Sequence, residues 1–246
     1  PYTTLFRSSQ LKTIPRTRQG LEELDLTLVL EDTKGKEIEL TFPDLSGETF
    51  QAQYEKREMS GKVAEYIKDT SCIILFINPI TINETSLISD VPAKFRPNKK
   101  DVGDISTEIN KLVPLQVQLV ELLQFVQYVR KQLAVKLELL VSAWDSIEGE
   151  ESQLRPEEYI RKHLPLLWQY VKSNTEFFGT IFFGISAQGG YLNDEERPNG
   201  GHSDDRDKLV EIQDPCERVF IVDNDGRRSG DITLPLCEIG CESYEE

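Results

Sequence analysis

A chain of 246 residues with 38% hydrophobic, 29% charged and 9% aromatic side chains can bury one full core, and it is not disordered, collagenous or disulfide-dense. The 28 Lys and Arg stand against 43 Asp and Glu, and the resulting charge of -15 argues against a nucleic-acid partner, whose backbone phosphates need clustered cations. No apolar run approaches the roughly 20 residues of a membrane span, and Cys72, Cys216, Cys237 and Cys241 match no zinc-ribbon spacing, so a reducing cytoplasm is the expected setting.

Recognisable patterning begins at Leu24. Leu24, Leu26, Leu28 and Leu30 alternate with Asp25, Thr27 and Val29, and Ile38, Leu40 and Phe42 alternate with Glu37, Glu39 and Thr41. That period of two marks half-buried strands. The intervening Asp32-Thr33-Lys34-Gly35-Lys36 supplies a turn, predicting a β-hairpin. A short helix follows near Lys62–Lys68. Three later segments, Cys72–Ile77, Leu137–Val141 and Thr180–Ile185, are mostly continuous apolar runs, the signature of strands covered on both faces.

Between these runs the pattern predicts a long helix from about Pro114 to Leu133 and another from about Pro156 to Lys172. Pro156 followed by Glu157 and Glu158 suits a helix start, because proline fits the first turn and acids favour the positive end of the dipole. Thr81–Asp104 and Leu192–Lys208 read as surface loops, Arg218–Val222 as a last strand and Asp231–Cys237 as the opening of a final helix. Strand alternating with helix implies a three-layer α/β fold: a mostly parallel sheet with an antiparallel edge hairpin. Pairing or metal binding by Cys237 and Cys241, with Cys216 and His202 beside them, stays open.

In an open α/β sheet, ligands bind beyond the carboxyl ends of the strands. Three such ends carry polar residues of interest: Asp44-Leu45-Ser46-Gly47-Glu48, Ser142-Ala143-Trp144-Asp145 and Ser186-Ala187-Gln188. Each has an ordinary alternative, respectively a plain turn, an aspartate capping the next loop or helix, and a small-residue turn after a buried strand.

Together and in this order the three segments resemble the motifs of the P-loop GTPase domain of the translation-factor and Ras-related class, and they are most similar to the bacterial double-GTPase family. The resemblance spans Leu24 to Gly190 and implies a G-domain-like fold. It implies that Asp44 holds Mg²⁺ through water, that the Gly47 amide approaches the terminal phosphate, and that Glu48 stands where the residue orienting the attacking water is found. Asp145 matches the guanine-reading aspartate, whose carboxylate accepts from both the ring N–H and the exocyclic amine, a donor pair adenine lacks. Ser186, Ala187 and Gln188 match the segment whose main-chain amides face the guanine carbonyl. The sequence departs from the pattern at Ser142, where the family has Asn, and at Ala143, where a lysine stem covers the base; Trp144 or a neighbouring aromatic is the candidate substitute.

The phosphate loop Gly-x-x-x-x-Gly-Lys-Ser/Thr is not found: Gly35-Lys36 is followed by Glu37 and Gly61-Lys62 by Val63. The expectation is that the first strand and this loop lie upstream of Pro1, that residues 1–23 are the remainder of the first helix and switch loop, and that 24–246 form an incomplete GTPase-like domain. Thr17 or Thr13 is then the switch threonine that touches Mg²⁺, and the chain from Pro1 onwards is expected to bind nucleotide poorly. Two functions follow from the resemblance: a GTP-hydrolysing switch with GTP, GDP and protein partners, belonging to a bacterial multi-gene defence or signalling system, or a catalytically inactive pseudo-GTPase serving as an interaction module.

Overall fold

The computed structural model of the chain describes residues 26–31, 35, 37–42, 54, 56–82, 113–131, 133–190, 205–212 and 214–236. The predicted hairpin is present as β1 (Leu26–Glu31) and β2 (Glu37–Phe42), paired antiparallel with Leu28 opposite Leu40. It forms a two-stranded sheet of its own among the described residues, and every side chain of β1 is exposed.

The second sheet has five strands in the order β3 (Cys72–Ile77), β4 (Val135–Val141), β5 (Phe178–Ser186), β6 (Phe220–Val222) and β7 (Arg228–Ser229). β3, β4 and β5 run parallel, while β6 and β7 add antiparallel. The apolar runs therefore became the parallel strands, with β4 and β5 largely buried and β3 only partly so.

Four helices lie against one face: α1 (Gly61–Asp69), α2 (Leu115–Val129), α3 (Pro156–His163) and α4 (Pro165–Ser173). Val63, Leu123, Ile160 and Leu167 pack there with Leu137, Leu139 and Phe182 from the sheet. Alternation along each strand sends Leu140, Phe183 and Ile221 to the opposite face, where they are also buried and Leu234 packs on them. The α/β class and the mostly parallel sheet stand as expected.

Four boundaries differ from the sequence reading, each for a local reason. The single helix expected over Pro156–Lys172 is two, because Pro165 disfavours helical backbone at the residue before it and Leu164 adopts φ -129°, ψ 56°. α2 stops at Val129 rather than Leu133, since Lys131 takes φ +52°. The guanidinium of Arg130 there donates to the carbonyls of Ile67, Lys68, Thr70, Leu133 and Ala134, tying the end of α1 to the approach to β4. Part of the expected loop at Leu192–Lys208 is helical, as α5 (Asp205–Glu211). β7 was not anticipated: Asp223 Oδ1 accepts from the amides of Asp225 and Arg227, and Gly226 at φ +84° completes the turn that returns the chain.

At its start α3 follows the expected chemistry. Pro156 occupies the first turn, and the Glu158 carboxylate accepts from the Arg155 amide at 2.9 Å and from the Arg155 guanidinium at 2.8 Å.

Candidate functional site

The parallel register decides what the sheet can present at one end. Ile77 is level with Val141, and Val141 with Gly184, so the segments leaving β3, β4 and β5 emerge at a single rim. Beyond β3, Asn78 Oδ1 accepts from the Ile80 amide at 3.0 Å and starts a 3₁₀ turn over Pro79–Thr81. Beyond β4, the Ser142 amide donates to the Ile77 carbonyl at 2.8 Å and its hydroxyl to the same oxygen at 3.3 Å. Ser142 thus joins two strand ends across the rim.

Ala143 next adopts the left-handed conformation, φ 49° and ψ 43°. That costs an L-residue on the order of 1 kcal/mol and needs support from its surroundings. Support comes from the following 3₁₀ turn, Trp144–Ser146, in which the Ser146 amide donates to the Ala143 carbonyl at 2.8 Å. Asp145 lies in this turn, half-buried, and makes no side-chain hydrogen bond or ion pair with a described residue. The capping alternative is not what its carboxylate does: no side-chain cap forms at Trp144–Ser146 or at the 3₁₀ turn Gly149–Gln153, and Glu158 serves the start of α3.

Trp144 corrects one expectation. Its ring is buried in the core, set on Gly184 of β5 and edge-on to Tyr159 of α3 with ring centres 5.6 Å apart. It cannot also lie over a base, so it does not replace the lysine stem. The sequence carried a signal of this packing in Gly184, a glycine inside an apolar strand run, which often marks close approach of another group.

At the end of β5 the Ser186 side chain is fully buried, and its hydroxyl accepts from the Gly189 amide at 2.8 Å. Ala187 and Gln188 are exposed between these two anchors. Gly189 sits at φ +81°, and a Cβ there would meet the Arg218 carbonyl at 2.4 Å, so only glycine allows this turn to lie against β6's approach. Arg218 is itself buried and donates to the Ile212 carbonyl. The rim therefore offers two short turns side by side, one with a half-buried carboxylate and the other with exposed main chain.

A family model described as Double-GTPase 1 matches residues 4–239 of this chain. The chain belongs to the double-GTPase 1 family. Neither the curated proteins nor the solved structures give a significant match. Family membership gives this double-GTPase domain a GTPase-related function, with nucleotide binding implied and Mg²⁺ its usual companion.

Asp44, Gly47, Glu48 and Thr17, the residues expected at the metal and phosphates of the double-GTPase domain, lie outside the described residues, as do Thr13, His202, Cys237 and Cys241. Cys72 is a free, half-buried thiol of β3, pushed up to about 12 by burial and by the nearby Glu138. Cys216 is free and exposed, and Asp214 beside it raises its thiol as well, so neither is an activated nucleophile. No helix among the described residues is long and apolar enough to cross a membrane.

Proposed function

We propose that the protein is a GTP-binding and GTP-hydrolysing switch domain, acting with protein partners in a bacterial multi-gene defence or signalling system. The family match supports the nucleotide class, and the system is what the sequence resemblance implies. The observation that carries the base assignment is the Asp145 carboxylate, half-buried and without a described partner, on the same rim as the exposed Ala187–Gln188 turn. In this reading Asp145 accepts from the two guanine donors, while main-chain amides of Ser186, Ala187 and Gln188 face the guanine carbonyl. Ser142 holds the Asp145 turn to β3 through Ile77.

Asp44, acting through water, and Thr17 would hold Mg²⁺, which when bound neutralises charge on the phosphate oxygens. The Gly47 amide approaches the terminal phosphate, and Glu48 orients the attacking water; a carboxylate beside phosphate is repulsive, so turnover is slow or partner-dependent. β3 is suited to receive a strand: among the described residues it pairs only with β4, and an open groove of about 310 Å³ runs beside it between Ile74, Phe76, Leu115 and Leu119.

Titration of the full-length protein with GDP and ADP, each with Mg²⁺, tests the base assignment. Asp145→Ala is expected to weaken GDP roughly 10- to 100-fold while leaving ADP unchanged, the range set by losing charged hydrogen bonds in a partly buried site. Equal binding of both nucleotides by the unaltered protein would remove the role given to Asp145.

One observation favours a second reading, a pseudo-GTPase that serves as a docking surface. Ala143 has no stem to cover a base, and Trp144 is committed to the core instead. Phosphate release from GTP separates the two: a switch enzyme releases it, and Glu48→Ala slows that release, whereas a docking module releases none above a buffer control.

A further inference from the structure

Trp144 touches both halves of the rim. Its ring bears on Gly184, where a Cβ would lie 2.3 Å from Cδ2, 2.5 Å from Cε3 and 2.9 Å from Cε2, so no larger residue coexists with the ring in this position. Gly184 is two residues before Ser186 on the same strand, and Trp144 immediately precedes Asp145. Tyr159 closes on the ring from the helical side. The strained Ala143 is therefore held by a side chain wedged between α3 and β5, not by its own turn alone.

We propose that Trp144 is the positioning residue for Asp145: by bearing on Gly184 it fixes the spacing between the Asp145 carboxylate and the Ser186–Gln188 turn, so that both can engage one purine edge at once. This rests on the guanine-binding reading above. It adds that specificity is set by a core contact, since two groups on separate strand ends discriminate a base only when their separation is fixed before binding.

The test compares GDP with ADP affinity by calorimetry, and urea unfolding, across variants of the full-length protein. Gly184→Ala must displace the ring, and the GDP preference is expected to fall at least about tenfold; Trp144→Phe keeps a ring on Gly184 and stays within about threefold of wild type. The double variant Gly184→Ala with Trp144→Leu provides the readout that a merely structural role would not give. Leucine leaves the space the new methyl enters, so the urea midpoint returns towards wild type while the base preference stays lost. Preference recovering together with stability, or Gly184→Ala retaining full preference, overturns the positioning role. If Gly184→Ala does not fold, Trp144→Leu and the double variant decide the same question. Loss of the underlying reading appears differently, as a wild-type protein that does not distinguish GDP from ADP.

Discussion

Two phenylalanines of the same sheet mark two different kinds of surface. Phe182 of β5 is 1% exposed, packed under the helices with the Lys172 ammonium over its ring, whereas Phe76 of β3 is 58% exposed beside an open groove. The β4–β5 seam has a strand on either side and is buried on both faces, while β3 pairs only with β4 among the described residues. The difference separates the two ends of the proposed nucleotide site. The turns of Asp145 and Ser186, which the proposal sets at the base, are shaped by packing that the described residues supply themselves, while the proposed phosphate side rests on Asp44 and Gly47, outside those residues.

The sharpest way to break this comparison is to truncate both rings. Phe182→Ala is expected to destabilise by about 3–5 kcal/mol, through lost transfer energy and the cavity left behind, and Phe76→Ala by under about 1 kcal/mol, since most of its surface is already in water. Urea unfolding measures both. Equal costs would mean that the β3 edge is as fully covered in the protein as the β4–β5 seam.

Arg130 comes next, because it joins the two regions. Its guanidinium holds carbonyls from the end of α1 and from the approach to β4, so Arg130→Ala leaves five acceptors without that donor and is expected to cost about 2 kcal/mol. Arg130→Lys should recover little, since a compact ammonium cannot span acceptors that a planar fork reaches together. Recovery to wild-type stability in the lysine variant would show that charge at the end of α2, not the fork, is what matters there.

The parts of the fold that were legible in the sequence are those with dense, one-signed local patterns. The continuous apolar run Leu137–Val141, buried on both faces, became a central parallel strand, and Pro156-Glu157-Glu158 became a helix start. Less legible were features set by a partner distant in sequence. The Trp144 ring, offered as a cover for the base, is instead taken by Gly184 and Tyr159, 40 and 15 residues further along the chain. The break at Leu164 has its local cause in Pro165, inside the span read as one helix. In the candidate site, the sequence order Ser142 to Asp145 and Ser186 to Gln188 anticipated two turns at strand ends. Their adjacency needed the parallel register of β4 and β5, which periodicity does not encode.

A smaller effect sharpens the comparison through pH. Glu158 is held well below its ordinary 4.5, at about 2, by the Arg155 guanidinium and amide. A carboxylate depressed on folding contributes stability that is fully present above its unfolded pKa and is lost as pH falls through its folded one. The advantage of wild type over Glu158→Gln should therefore be constant above about pH 4.5 and vanish towards about pH 2. An advantage unchanged across that window would mean that the Arg155 contact does not persist in solution.

The smallest expected effect belongs to the hairpin. Val29 is 62% exposed and lies across from Glu39, so Val29→Ala removes little that is shielded from water and should change stability by no more than about 0.5 kcal/mol. Two strands alone are marginal in water, and Leu26, Leu28 and Leu30 lie together on one face of β1, each still substantially exposed. Amide exchange across β1 and β2 should accordingly be faster than across β4, whose ladder is flanked on both sides. Exchange as slow as that of β4 in the full-length protein would place this hairpin against the β3 side, and the contrast between a self-contained base side and a dependent phosphate side would then hold for the described residues but not for the whole molecule.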